Sequence, residues 1–265
     1  MRGTIDSDGA SLAYSIEGAR DAPVVMLSHS LGTDARLWDL QIPDLASRYR
    51  VLRYDSRGHG GSSVPEGDYT LARLGRDALD LIDALGIDSV SFCGISLGGM
   101  VGQWLGCHAP ERLRSLALCN TSAYMGPPES WDARIAAVRT GGMAAIADAV
   151  LDRWFTADFL ASAPPAASIA RSMLLATSPL GYAGCCAAIR DMDMRTYSAG
   201  IAGPTLIIAG LHDPATPSTH AEVLLAKFPG ARLAMLPAAH LSNLEQPRLF
   251  IDTLLEFLAD SAIGV

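Results

Sequence analysis

The chain has 265 residues, 49% of them hydrophobic, with a mean hydropathy of +0.23. That is enough apolar surface for one large core carrying an insertion. A net charge of −8 and a pI near 5.1 leave no basic face for nucleic acid or an anionic membrane surface. Any anionic ligand would need a local cluster of arginines. The five cysteines, Cys185 and Cys186 among them, match neither a disulfide framework nor a zinc-ligand spacing, and read as buried, reduced thiols. The first residues lack the apolar run of a signal peptide, and no segment is long and apolar enough to span a bilayer. The expectation is a soluble cytoplasmic protein.

Two short alternating runs flank Asp6-Ser7-Asp8-Gly9, the chemistry of a hairpin turn, and predict an antiparallel edge over residues 2–16. Pro23 to Ser28 is a continuous apolar run, as expected of a strand buried on both faces. It leads into His29-Ser30-Leu31-Gly32, where His29 reads as a loop-stabilising residue. Tyr49 to Tyr54 is a further strand. The loop Asp55 to Ser62 after it is glycine-rich but lacks the Gly-Lys-Ser/Thr ending of a phosphate loop. Asp55, Arg57 and His59 are therefore assigned to holding that loop in shape. Helical spacing of Leu71, Leu74, Ala78, Leu81 and Ile82 predicts a helix over Tyr69 to Leu85, stopped by Gly86.

The next strand, Val90 to Cys93, meets Gly94-Ile95-Ser96-Leu97-Gly98 and then a helix through Cys107. A serine on so tight a strand-to-helix turn is pushed out above the sheet, and the glycines leave room that side chains would block. Leu113 to Cys119 supplies another strand. Strands alternating with helices over short connections indicate a mostly parallel sheet with helices on both faces. In such sheets ligands bind beyond the carboxyl ends of the strands, where Ser96 and the His29–Gly32 loop both fall.

From Ser122 to Gly200 the alternation stops. The segment is alanine-rich, with apolar residues at helical spacings and breaks at Pro127-Pro128, Gly141-Gly142, Pro164-Pro165 and Pro179, so it reads as several helices. Inserted above the active edge of the sheet they would form a lid that excludes water and selects substrates. Trp131, Arg134, Arg139, Arg153, Trp154 and Arg190 are the side chains there that could meet a substrate. The resulting division is a core over 1–121, a helical lid over 122–200 and the rest of the core over 201–265.

The core resumes with the strand Pro204 to Ala209, followed by Asp213 in a loop, a helix over Ser218 to Phe228, and a strand over Ala231 to Leu236. His240 lies in the next loop, before a closing helix over Gln246 to Leu258. Ser96, Asp213 and His240 stand in the order nucleophile, acid, histidine, at three loops of one sheet edge. That is the chain order of α/β-hydrolases. The backbone amides of Leu31, with Ser30 as the alternative, and of Leu97 are the expected oxyanion donors.

With these residues read, the chain resembles the α/β-hydrolase superfamily throughout. Within it, the chain resembles the 3-oxoadipate enol-lactonases of aromatic-compound degradation. The likeness rests on Leu31-Gly32-Thr33-Asp34, on Leu52-Arg53-Tyr54-Asp55 with Arg57-Gly58-His59-Gly60, and on Arg153-Trp154-Phe155-Thr156-Ala157. It continues in Gly181-Tyr182 with Cys185 and Ala187, in Gly210 with His212-Asp213, and in His240 to Glu245. One departure is His29, where those lactonases usually carry asparagine. The resemblance implies an eight-stranded α/β-hydrolase fold and a carboxylate-bearing enol-lactone as substrate, opened through an acyl-enzyme without metal or organic cofactor. Arg134, flanked by Trp131, is the expected carboxylate partner, and Trp131 and Trp154 are the other expected substrate-binding residues. Esterase, perhydrolase and carbon–carbon hydrolase activities share the same machinery, as does a non-enzymatic small-molecule receptor. A homo-oligomer is compatible with the sequence, which does not specify one.

Overall fold

A computed structural model of the chain describes residues 1–162, 164–196 and 203–263. Eight strands form one sheet in the order β1-β2-β4-β3-β5-β6-β7-β8. They are β1 (Arg2–Ser7), β2 (Ala10–Glu17), β3 (Val24–Ser28), β4 (Arg50–Tyr54), β5 (Val90–Ile95), β6 (Leu113–Cys119), β7 (Thr205–Gly210) and β8 (Arg232–Leu236). β1 and β2 form the predicted hairpin, turning on Asp8 and Gly9, both at positive φ as the tightest hairpin turns require. β2 runs antiparallel to β4, and all later pairings are parallel.

The burial follows the topology. Every residue of β3 and β7 is buried, so both faces of the central sheet are covered, whereas β1 alternates between exposed and partly buried positions at the edge. After the short α1 (Ile42–Ala46), α2 (Leu71–Ala84) buries Leu71, Leu74, Ala78, Leu81 and Ile82, the stripe that the spacing predicted. Thr70 caps it, accepting from the Arg73 amide at 3.1 Å. α3 (Leu97–His108) is buried along nearly its whole length and packs on β5 and β6.

Between β6 and β7 the chain forms α4 (Pro128–Gly141), α5 (Ala147–Trp154), α6 (Ala157–Ala161), α7 (Pro165–Ala176) and α8 (Pro179–Asp191). The prolines that read as breaks are helix starts: Pro128, Pro165 and Pro179 stand in the first turns of α4, α7 and α8. A proline loses nothing there, because the amide it lacks would have no partner. α8 is the buried helix of the insertion and carries Tyr182, Cys185, Cys186 and Ile189 inward. It reaches the core through a glycine pair, since a Cβ on Gly181 would lie 2.2 Å from the Gly58 carbonyl oxygen. The expected lid boundary at Gly200 and the core restart at 201 lie outside the described residues.

The chain closes with α9 (Ser218–Lys227), α10 (Ser242–Glu245) and α11 (Pro247–Ile263). No single described helix is long and apolar enough to cross a membrane; α7 and α8 reach the required length only as a pair bent by 96°. Four of the five thiols are buried and Cys107 is partly exposed, a small departure from the expectation that all are buried.

Candidate active site

Ser96 sits between β5 and α3 with φ 57° and ψ −117°, a conformation that costs a side-chain-bearing residue about 1–3 kcal/mol. Three hydrogen bonds hold it there. The Ser96 amide donates to Cys119 O at 2.9 Å, and Ser96 O accepts from Thr121 Oγ1 at 2.7 Å and from the Met100 amide at 3.0 Å. At about 1 kcal/mol each, they offset the strain. The glycines of the turn are sterically required: a Cβ at Gly94 would stand 2.2 Å from Gly98 O, and one at Gly98 would stand 2.2 Å from Ser28 O.

Ser96, more than a hundred residues before the other two, meets His240 and Asp213 in one hydrogen-bonded row. His240 Nε2 lies 2.9 Å from Ser96 Oγ, and His240 Nδ1 lies 2.9 Å from Asp213 Oδ2. Burial alone would raise the Asp213 carboxyl, but the charge of His240 and the hydrogen bonds from His240 and Thr216 outweigh it. They hold Asp213 well below the usual carboxylate range. An ionised carboxylate can only accept, so Nδ1 carries the proton and Nε2 presents its lone pair to the serine hydroxyl. Such a row can remove a proton from Ser96 and later return it to a leaving group.

The carboxylate is itself over-determined. Asp213 Oδ1 accepts from the amides of Ala215 and Thr216 at 2.8 and 2.9 Å. Oδ2 accepts from Thr216 Oγ1 at 2.7 Å and from Asn120 Nδ2 at 3.0 Å. Asn120 stands at positive φ just after β6 and is fixed in turn by Ser242 Oγ, which donates to its Oδ1 at 2.6 Å. Sequence reasoning passed over Asn120 and Thr216. The one available signal was that asparagine tolerates left-handed backbone better than most residues.

The loop after β3 is pinned by two buried histidines. His29 Nε2 accepts from the Ser56 amide at 2.9 Å, so its Nδ1 donates to Ser30 O at 2.8 Å. His59 Nε2 accepts from the Gly32 amide at 3.0 Å, directly beside Leu31. Arg57 reaches farther than expected, joining Asp77 of α2 through a buried pair at 2.6 and 2.7 Å and so tying its loop to the core. Among the described residues, neither the Leu31 nor the Leu97 amide has a protein acceptor. Leu97 follows Ser96 as the first residue of α3, where helix amides have no intrahelical partner, and Leu31 lines the same cavity as Ser96.

His59 gives a prediction for pH. Burial, the largest cause, pushes it down to about 3, so it stays neutral in the fold. The unfolded chain takes that proton near pH 6.5. Between pH 6.5 and 3 the unfolded state therefore holds more protons, and stability falls as pH falls, by up to about 1.4 kcal/mol per pH unit. His220, lowered mainly by burial, acts with the same sign. Urea unfolding should show a midpoint lower at pH 5 than at pH 7, with a shallower dependence in His59→Gln. An equal dependence in both proteins would contradict this.

Ser96 and His240 open into a cavity of about 270 Å³, which Leu31, Trp131, Arg134, Arg153, Trp154 and Tyr182 help to line. A cavity of this size suits a small-molecule ligand. Wider depressions of about 580 and 720 Å³ lie elsewhere and contain neither Ser96 nor His240. The side chains of Trp131, Arg134 and Trp154 all line the cavity of Ser96 and His240. The Arg134 guanidinium lies over the Trp131 ring, 4.7 Å from its centroid. Arg139 and Arg190 do not join them, since both are spent on Asp68 at 3.3 Å outside the cavity. The insertion is bonded to the histidine loop at two points missed from sequence. Leu241 N donates to Trp154 O at 2.9 Å, and Glu245 accepts from both Thr156 and the Ala239 amide. Among the described residues no group of three or more His, Cys, Asp or Glu side chains is placed to hold a metal ion.

A strained serine above a parallel sheet, backed by histidine and aspartate in that order, defines a class as well as a site. The family model for the alpha/beta hydrolase fold matches residues 23–247, and the chain belongs to that family. It is 39% identical over 250 residues to 3-oxoadipate enol-lactonase 2 of Acinetobacter baylyi, covering 94% of each chain. Among solved structures, the enol-lactonase from Burkholderia xenovorans LB400 superposes with a TM-score of 0.95 at 42% identity, covering 97% of this chain and 100% of that one. A hydrolase from Pseudomonas aeruginosa PA01 superposes with a TM-score of 0.94 at 50% identity, covering 97% and 98%.

Proposed function

We propose that this protein is a cofactor-independent serine hydrolase that opens 3-oxoadipate enol-lactone to 3-oxoadipate, a step in the breakdown of aromatic compounds. The observation that carries the reading is the cavity itself. The space that holds Ser96 and His240 also holds Arg134, which has no carboxylate partner among the described residues. A site for neutral esters has no use for an uncompensated guanidinium, whereas a lactone bearing a carboxylate does. The likeness to the two enol-lactonases supports the same substrate.

Ser96 attacks the lactone carbonyl as His240 Nε2 takes its proton, and Asp213 holds the imidazolium that forms. The amides of Leu31 and Leu97 receive the oxyanion, at about 3 kcal/mol per donor. The ring carbon–oxygen bond breaks, and His240 returns the proton to the departing enol oxygen, which stays tethered in the acyl chain. Water, deprotonated by His240, then attacks the acyl-enzyme; the bond to Ser96 Oγ breaks, His240 returns the proton to that oxygen, the acid leaves as the new carboxylate, and the enol tautomerises to the ketone. The helices of the insertion serve as the lid, with Trp131 and Trp154 walling the ring. Arg134→Ala should lower the ratio of kcat/KM for the charged lactone to that for p-nitrophenyl acetate by about ten- to hundredfold, the value of a charge-assisted hydrogen bond. Parallel loss on both substrates would count against the assignment.

A further inference from the structure

The insertion carries six arginines, and their partners divide them sharply. Arg139 pairs with Asp68 at 3.3 Å, Arg171 with Asp148 at 2.6 Å and Arg195 with Asp193 at 2.6 Å, while Arg190 pairs with Asp132, Asp191 and Asp68. Arg134 and Arg153 have no carboxylate within ion-pair distance among the described residues, and both line the cavity of Ser96 and His240. They approach from different helices, α4 and α5. Burial and the like charge of Arg134 lower the Arg153 guanidinium from its ordinary value. Two like charges facing one small cavity carry a standing electrostatic cost. In a chain with 28 acidic and 20 basic side chains, carboxylates were at hand to relieve it. The feature that relieves it without a protein acid is an anionic ligand.

We infer that Arg153 is a second carboxylate-binding residue, forming with Arg134 a two-guanidinium clamp that gives the cavity affinity for short dicarboxylates with no ester bond to cleave. This deepens the proposed function and rests on it for the identity of the substrate. The lactone brings one negative charge and hydrolysis creates a second, so the ring-opened product matches the two arginines in charge better than the substrate does. The clamp therefore makes the product class an inhibitor as well as a product. Arginine suits the task because its planar fork meets a carboxylate with two parallel hydrogen bonds.

The test is a calorimetric titration of adipate, with adipamide as the neutral molecule of equal length, into the wild-type chain, Arg153→Ala, Arg153→Met and Arg153→Lys. Arg153→Met keeps the apolar stem should the alanine variant fold poorly. The expected result is adipate binding to the wild type with adipamide much weaker. Kd should rise tenfold or more in Arg153→Ala and Arg153→Met and less in Arg153→Lys, which keeps the charge and loses the fork. Adipate affinity unchanged by removing Arg153, equal binding of adipamide, or no adipate binding to the wild type would each overturn the inference. The titration needs no turnover, so a wild-type protein inert toward the enol-lactone would sink the proposed function while the adipate measurement still decides the role of Arg153.

Discussion

Ser96→Ala is expected to lower kcat for enol-lactone opening by about 10⁴- to 10⁶-fold, the range seen when a nucleophile is removed from a triad that acts as a unit. The fold should survive. Alanine keeps the Cβ that already tolerates this backbone, and the three bonds that hold the turn involve the Ser96 amide and carbonyl or their neighbours, not its hydroxyl. The variant loses only the hydroxyl that His240 faces at 2.9 Å. It should therefore bind the lactone as before and fail to turn it over. Turnover within about tenfold of wild type would mean that water is activated without Ser96, and the acyl-enzyme route would fall.

Asp213→Asn should cost about 10⁴-fold in kcat, and the hydrogen bonds explain why so small a change does so much. All five groups around the carboxylate are donors: two backbone amides on Oδ1, and Thr216, Asn120 and His240 on Oδ2. An amide has one acceptor oxygen, and the two backbone donors cannot turn away, so the oxygen is drawn to the Oδ1 position. Its NH₂ then faces His240 Nδ1, which must become the acceptor. The ring proton moves to Nε2, the atom that should take the proton from Ser96, and the base is lost while its geometry remains. Steady-state kinetics at pH 7, with circular dichroism to confirm the fold, reads this directly. A loss below about tenfold would show that Asp213 does not set the tautomer.

How far these residues were legible beforehand depends on the range of the interaction involved. The sheet followed from local signals: a five-residue apolar run at β3, the Asp8-Gly9 turn, and the stripe from Leu71 to Ile82 are each written within a few residues. Ser96 was visible because its steric demand falls on near neighbours, Gly94 and Gly98. Asp213 and His240 needed only their order and their places after β7 and β8. What stayed hidden depends on who meets whom across the fold. Arg134, Arg139, Arg153 and Arg190 look alike in sequence, and they separate only when Asp68, from the loop before α2, is seen to take two of them. Asn120 and Thr216 act on Oδ2 of Asp213, the oxygen that also holds His240, and no spacing rule reaches such contacts. Glu245 joins Thr156 to the His240 loop across 89 residues, and nothing local announces it.

The central claim is that a serine row and an uncompensated arginine share one small cavity in order to hydrolyse an anionic lactone. Its most direct test is the kcat/KM of the wild-type protein for freshly prepared 3-oxoadipate enol-lactone, set beside that for p-nitrophenyl acetate under the same conditions. The expected value for the lactone lies in the range of about 10⁴–10⁸ M⁻¹s⁻¹ found for enzymes on their own substrates, well above that for the neutral ester. A lactone value equal to or below the neutral ester's would contradict the account.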